Sequence, residues 1–214
     1  MALGVMINKL DMRYVGLAVA SIVLIAGSIG GYRWYRLNKE QKAQEVFSSC
    51  MHEYERAEKD PSLWPNTELV FRLALEQNQN TALTPSLLAY QAESLLRMNK
   101  PEQALDCMSK AVALLPTTSD IYNLYATKQA LMMMDAADQA VKDKGLASLT
   151  TLAQDTKNST RDMALYYLGL YHWAQDDSVK ARSAWSELLP LADADPASPW
   201  AQRAARKIEQ LVAV

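Results

Sequence analysis

Cysteine and histidine each occur only twice in this 214-residue chain, as Cys50, Cys107, His52 and His172. With so few soft ligands there is no CxxC or HExxH pairing, and zinc or thiol-redox chemistry has no framework. Glycine is also scarce, at seven residues. None of these belongs to a phosphate-cradling loop or a nucleophile elbow. Asp176-Asp177 and Asp193/Asp195 lack further ligands at calcium spacing and read as turn residues. The two histidines lie on different predicted helices with no recurring partner. The sequence therefore predicts no enzyme, no cofactor, no metal and no small-molecule substrate.

An overall excess of positive charge is missing too. The formal net charge is −2, and bulk charge of that kind excludes a nucleic-acid binder, because phosphate binding needs grouped cations. Half the residues are hydrophobic and mean hydropathy is −0.17, which excludes both a polytopic membrane protein and a disordered chain. The charge is unevenly distributed. Residues 1–42 hold six Lys/Arg and two acids, a net +4, so residues 43–214 carry −6.

That basic head holds the longest run without charge, from Tyr14 to Tyr32. As a helix the run would reach ~28 Å, close to the ~30 Å hydrocarbon core of a bilayer. Four glycines fall in it (Gly16, Gly27, Gly30 and Gly31), which suits a span better than a soluble helix. Tyr14 at one end and Tyr32, Trp34 and Tyr35 at the other are placed like interfacial belts, with Arg33, Arg36, Lys39 and Lys42 beyond. The expected layout is a short tail over 1–13, a transmembrane helix over 14–35 and a linker helix over 36–60. A cleaved signal peptide fits less well, since the apolar run continues past Ala26-Gly27-Ser28 and ends in aromatics and arginine. Lys9 and Arg13 on one side against four cations on the other place the body in the cytoplasm by literal count, but long C-terminal domains often cross regardless. The two cysteines leave the compartment open, since they fit two buried thiols or one disulfide.

The acidic body, 61–214, reads as helix throughout. Thr84 and Pro85 suit the start of a helix carrying SLLAYQAESLLR at i, i+3, i+4 spacing. Asn99-Lys100-Pro101 breaks it, and Pro101 opens a second helix that ends before Pro116. Counting Pro85 as position 1 places Ala92 at 8, Ala104 at 20, Met108 at 24, Ala111 at 27 and Pro116 at 32. This pattern resembles the tetratricopeptide repeat, a 34-residue helical hairpin with small residues where its helices cross. A second match starts at Asp162, with Gly169 at 8, Ala181 at 20, Trp185 at 24 and Leu188 at 27. Two repeat lengths counted from Ala104 stop nine residues short of Ala181, so one more repeat with a nine-residue insertion fits between the two matches. That repeat starts at Ser119 with Ala126 at 8, and Ala147 takes position 20 if the insertion falls in MMMDAADQAVKDKG. The expected fold is all-α: an N-terminal transmembrane helix followed by a superhelical array of hairpins. The repeats lie near 85–118, 119–161 and 162–195, with a degenerate hairpin ahead of them (Asn66 or Thr67 capping its second helix). A capping helix over 197–212 has Trp200, Ala204, Ile208 and Leu211 on its inner side.

The layout resembles a bacterial family, the YfgM-like single-span inner-membrane proteins with a periplasmic tetratricopeptide-like domain, described as ancillary subunits of the Sec translocon. The residues that carry the resemblance are Tyr32-Arg33-Trp34-Tyr35, the total length, and the last hairpin with Gly169 and Asp176 to Trp185. The chain departs from the family in its short segment before the span, without an acidic tail. The resemblance implies a periplasmic body at the inner membrane, and as partners the Sec translocon subunits, periplasmic chaperones or client polypeptides. A structural assembly factor of a cell-envelope, secretion or division complex is the alternative.

In such a stack, positions 2, 5, 9 and 12 of each first helix line the concave groove. This nominates Glu93 (beside Ser86, Ala89 and Leu96), then Asn123 (beside Asp120, Thr127 and Ala130), then Tyr166, Leu170 and Trp173 (beside Met163). The last set is apolar and aromatic, fit to anchor a peptide or helix. The alternative is that Tyr166 and Trp173 pack under the C-terminal helix. Met132-Met133-Met134 reads either as an adaptable surface or as helix-end packing.

Overall fold

The computed structural model describes the backbone of residues 12–193 and 197–212, and side chains over 19–193 and 197–210. The tail to residue 11, the side chains of Arg13, Tyr14 and Leu211, and Asp195 with Pro196 lie outside the described residues. Within them the chain is all-helical, with nine α-helices and no strand. The helices are α1 (Met12–Lys59), α2 (Trp64–Gln77), α3 (Thr84–Arg97), α4 (Pro101–Ala113), α5 (Asp120–Met134), α6 (Gln139–Gln154), α7 (Arg161–Ala174), α8 (Ser178–Ser186) and α9 (Pro199–Val212). Short 3-10 turns at Pro61–Leu63 and Leu189–Leu191 complete the path.

Prolines set several starts. Pro65, Pro85 and Pro101 occupy the first turns of α2, α3 and α4, where a missing N–H costs nothing and φ is already helical. The helix stops use residues other than glycine. Asn99 after α3 and Asp176 after α7 take φ of 58° and 59°. At both sites the two following-turn amides close the same pair of bonds: Asn99 N to Leu96 O and Lys100 N to Leu95 O, Asp176 N to Trp173 O and Asp177 N to His172 O. These are Schellman stops built on Asn and Asp, the non-glycine residues that best tolerate the left-handed region.

Two expected caps are corrected. α3 starts one residue earlier, behind Leu83, because the Thr84 hydroxyl is engaged in the preceding loop: it accepts from Thr81 N and donates to Asn78 O. Thr67 is not a cap either. Pro65 has already begun α2, and Thr67 is fully buried, its hydroxyl donating to Leu63 O and Glu53 O where α2 crosses α1.

Helices pack mainly on their neighbours in sequence, each pair antiparallel and followed by the next, with α9 folding back over both α7 and α8. The core accordingly runs as three successive clusters. Cys50, Tyr54, Trp64, Phe71 and Leu87 form the one between α1, α2 and α3. Ala92, Leu95, Ala104, Met108 and Tyr125 join α3, α4 and α5. Leu149, Leu165, Trp185 and Leu188 lead the last, from α5 to α9. Both cysteines are free. Cys50 is buried and Cys107 half-buried, and burial pushes both thiols up, Cys50 to about 11.

Within the paired helices one spacing recurs: a small buried residue followed four positions later by a large one. It is Ala104 then Met108 in α4, Gly145 then Leu149 in α6, and Ala181 then Trp185 in α8. The middle register corrects the expectation for Ala147, which is exposed. Gly145 instead faces α5, where a Cβ would stand 2.8 Å from Ala130 O and from Met134 N. Measured against a 34-residue spacing, the step from Ala104 to Gly145 is seven residues longer and the step from Gly145 to Ala181 two longer.

α1 is one continuous helix across the expected boundary at 35/36. Its last turns pack into the body from Ala43 onward, but Val19, Ile22, Val23, Leu24, Ile25 and Ile29 are 55–71% exposed, and no other element among the described residues covers them. No helix is long and apolar enough, over the described residues, to cross a membrane. Tyr14 to Ala18, the start of the uncharged run, precede the described side chains.

Candidate functional site

The first helices of successive pairs, with the last turns of α1, line one side of the stack. Along this side runs a groove with two lobes. One, of about 450 Å³, lies over α1, α3, α5 and α7, with a floor of Leu96, Leu131, Met132, Met163 and Tyr167. The other, of about 710 Å³, lies between α5, α6 and α7, with Met134, Leu146, Leu170 and Tyr171 in its wall. Leu131, Asp135 and Tyr167 line both lobes, so the two form one continuous surface.

The first lobe is built around Glu93. Its Oε2 accepts from the Tyr54 hydroxyl at 2.8 Å, and its Oε1 accepts from Lys128 Nζ. One carboxylate therefore ties α1, α3 and α5 together at the groove wall. Burial is the main reason the Tyr54 phenol is pushed far up, with the Glu93 bond and charge adding to it. Tyr54 stays neutral and donates at any physiological pH. Arg97, also in the wall, lies over the Trp64 ring at 5.6 Å. The Glu93–Lys128 pair is partly exposed, so its worth is modest, of order 1 kcal/mol or less. The site thus offers an apolar floor with a fixed ionic wall.

The nominated residues divide. Glu93 and Leu170 border the groove, one in each lobe. Asn123 is half-buried, its carbonyl accepting from the Thr127 hydroxyl within α5, and it lines neither lobe. Tyr166 is 9% exposed and packs against Trp200 of α9 at 5.4 Å between ring centroids. Trp173 is 40% exposed, edge-on to Trp185, and Lys207 of α9 stands 4.1 Å over its ring. α9 therefore packs over Tyr166 and Trp173, the alternative in which these residues lie under the C-terminal helix. Ala89, Thr127 and Ala130 are buried between helices.

No known family model matches the chain, and no curated protein does. The site must be read from its own residues. Those that sequence reasoning missed, Tyr54, Lys128, Leu131 and Tyr167, stand one step around the helix from the expected groove positions or come from the helix ahead of the repeats. A signal for one of them existed: Lys128 follows Glu93 by 35 residues, close to the 34-residue spacing, whereas Tyr54 precedes it by 39. The methionine run divides as well. Met132 faces the first lobe and Met134 the second, while the Met133 Cβ lies against Gly145.

Among the described residues no three His, Cys, Asp or Glu side chains gather as a metal site. His172 lies at the edge of Tyr171, and burial with the nearby Lys180 charge lowers its pKa, Asp177 opposing them.

Proposed function

We propose that the protein is a membrane-anchored, non-catalytic scaffold whose tetratricopeptide-like stack captures a segment of a partner protein. The observation that carries this reading is the groove: an apolar floor of Leu96, Leu131, Met132 and Tyr167, open to solvent, between walls fixed by the Tyr54–Glu93–Lys128 network. Apolar side chains in a preformed cleft with ordered polar walls suit an amphipathic helix or an extended segment, which loses little by fitting a rigid site. Two methionines in the lining add adaptability.

The anchor is supported by α1 itself. Six large aliphatic side chains left open on one helix, followed by Tyr32, Trp34, Tyr35 and a cluster of cations, suit lipid and headgroups far better than water. On the resemblance in sequence, the membrane is the bacterial inner membrane and the body is periplasmic. The partners are then Sec translocon subunits, periplasmic chaperones or emerging envelope proteins.

Affinity capture from membranes in mild detergent tests this, with wild type beside Leu96→Glu. Leu96 is 39% exposed on the groove floor, so a charge there blocks the floor without disturbing the core. Wild type is expected to retain translocon subunits or envelope clients and the variant to lose them. Recovery of a division or secretion complex in place of the translocon would sink the reading. A reporter fused after Val214 is expected to be active only in the periplasm, and cytoplasmic activity would reverse the topology.

A further inference from the structure

The part of the stack's edge beside α1 is free of charge, and α1 fixes where that part lies. Because each helix pair reverses direction, the turns inside pairs lie on one edge and the connections between pairs lie on the other, the edge from which the N-terminal half of α1 projects. The two connections nearest α1, residues 78–83 (NQNTAL) and 114–119 (LLPTTS), hold no charged residue, whereas farther along the same edge 155–160 carries Asp155 and Lys157 and the segment after α8 carries Glu187 and Asp193. Leu114 is 56% exposed and Ile121, at the start of α5, 47%. The turns on the opposite edge carry Asp60, Lys100, Asp135, Asp138, Asp176 and Asp177.

α1 leaves no slack between its exposed apolar half and the body, since it is a single helix from Met12 to Lys59. The connection 78–83 is bolted to it only one turn past Tyr35: Lys39 Nζ donates to Gln79 O at 2.6 Å, and the Glu40 carboxylate accepts from Ala82 N at 2.9 Å. Four residues of helix separate Tyr35 from Lys39, a rise of ~6 Å, about the depth of a headgroup layer. The 114–119 connection borders the first one, for Asn80, Thr81, Leu114, Leu115 and Pro116 share one small cavity. Three polar side chains of the 78–84 loop are already bonded, Asn78 Nδ2 donating to Ala74 O and the Thr81 and Thr84 hydroxyls to Asn78 O, which lowers the cost of placing that loop against lipid.

We propose that this edge is a membrane-docking surface: the connections at 78–83 and 114–119, with Leu114 and Ile121, rest in the headgroup layer of the bilayer that α1 enters. The inference rests on the anchor reading. Docking holds the α1 end of the stack at one orientation and presents the groove at a set height above the membrane.

The full chain, reconstituted in vesicles of phosphatidylcholine and phosphatidylglycerol with a headgroup-nitroxide lipid, tests it. α4 provides the ruler: Lys100 precedes it on the far edge and Leu114 follows it, ~20 Å away. A fluorophore is placed on L114C or on K100C in a Cys107→Ser background, Cys50 being buried. Quenching is expected to be several-fold stronger at position 114 than at 100, with I121C as a second near-edge reporter should L114C fold poorly. Equal quenching at both edges in a chain that floats with the vesicles overturns the docking and leaves the anchor standing. A chain that does not float overturns both.

Discussion

At Gly169 the absence of a side chain is a packing requirement. A Cβ there would come within 2.2 Å of Trp185 Nε1 and 2.5 Å of its Cδ1. The indole cannot move aside, because it is fully buried and its Nε1 donates to Tyr166 O at 3.0 Å. Gly169→Ala should therefore cost about 2–3 kcal/mol despite alanine's better helix propensity. A denaturant melt checks this, and an unchanged midpoint would refute the packing argument. Gly169 was legible in sequence because Trp185 follows at a recognisable spacing. Gly145 was not, since its partner is the backbone of α5 and no side-chain pattern announces a backbone contact. Cys50 gives a second residue-scale prediction. Its thiol is raised from 9.0 to about 11 in the folded protein, so folding favours the protonated form. That contribution is complete below about pH 9 and is lost as pH climbs toward 11. Midpoints measured across this range should fall, and Cys50→Ala should flatten the fall even while its cavity lowers the whole curve.

At the scale of elements, α9 is held to the stack by Trp200, whose ring lies 5.4 Å from both Tyr166 and Tyr167, and by Ala201 and Ala204 packed flat beneath it. Ser198 fixes its start by donating to the Asp162 carboxylate. Trp200→Ala should cost about 2 kcal/mol, at the low end for a large-to-small change because the ring is only half-buried. Trp173→Ala should cost well under about 1 kcal/mol, mainly the loss of Lys207 over a part-exposed ring. Near-ultraviolet circular dichroism with thermal melts separates the two, and equal losses would contradict these roles for the two tryptophans. The sequence shows where helices start and stop because Pro65, Pro85, Pro101 and the Asn99 and Asp176 stops act locally. It does not show which face of a terminal pair is covered, since that depends on the angle at which α9 returns. This is why Tyr166 and Trp173 read either as an anchor or as residues packed under the C-terminal helix; α9 takes the second course, and the groove lies nearer Glu93.

Across the whole molecule, the charge division between residues 1–42 and 43–214 corresponds to two surroundings along one continuous helix. The cations at 33–42 cluster where α1 passes from its exposed apolar half into the body, and the acids are spread over the helices and turns of the body. The body itself has three core clusters in series, with contacts mainly between sequence neighbours. Stability in such a stack is the sum of local terms, and damage at one end need not reach the other. The N-terminal cluster is also the most aromatic, with Tyr54, Phe71 and Tyr90 in mutual contact and the last two rings stacked at 5.7 Å. Amide exchange on Gly169→Ala under native conditions should then show α7, α8 and α9 losing protection by the full cost of the substitution, while α2 and α3 keep theirs. A uniform loss from α2 to α9 would mean that the clusters unfold as one unit. In that case a partner seated between Glu93 and Tyr167 would be held by a globally cooperative body, whereas a graded loss would let the C-terminal end of the groove open while the N-terminal end stays folded.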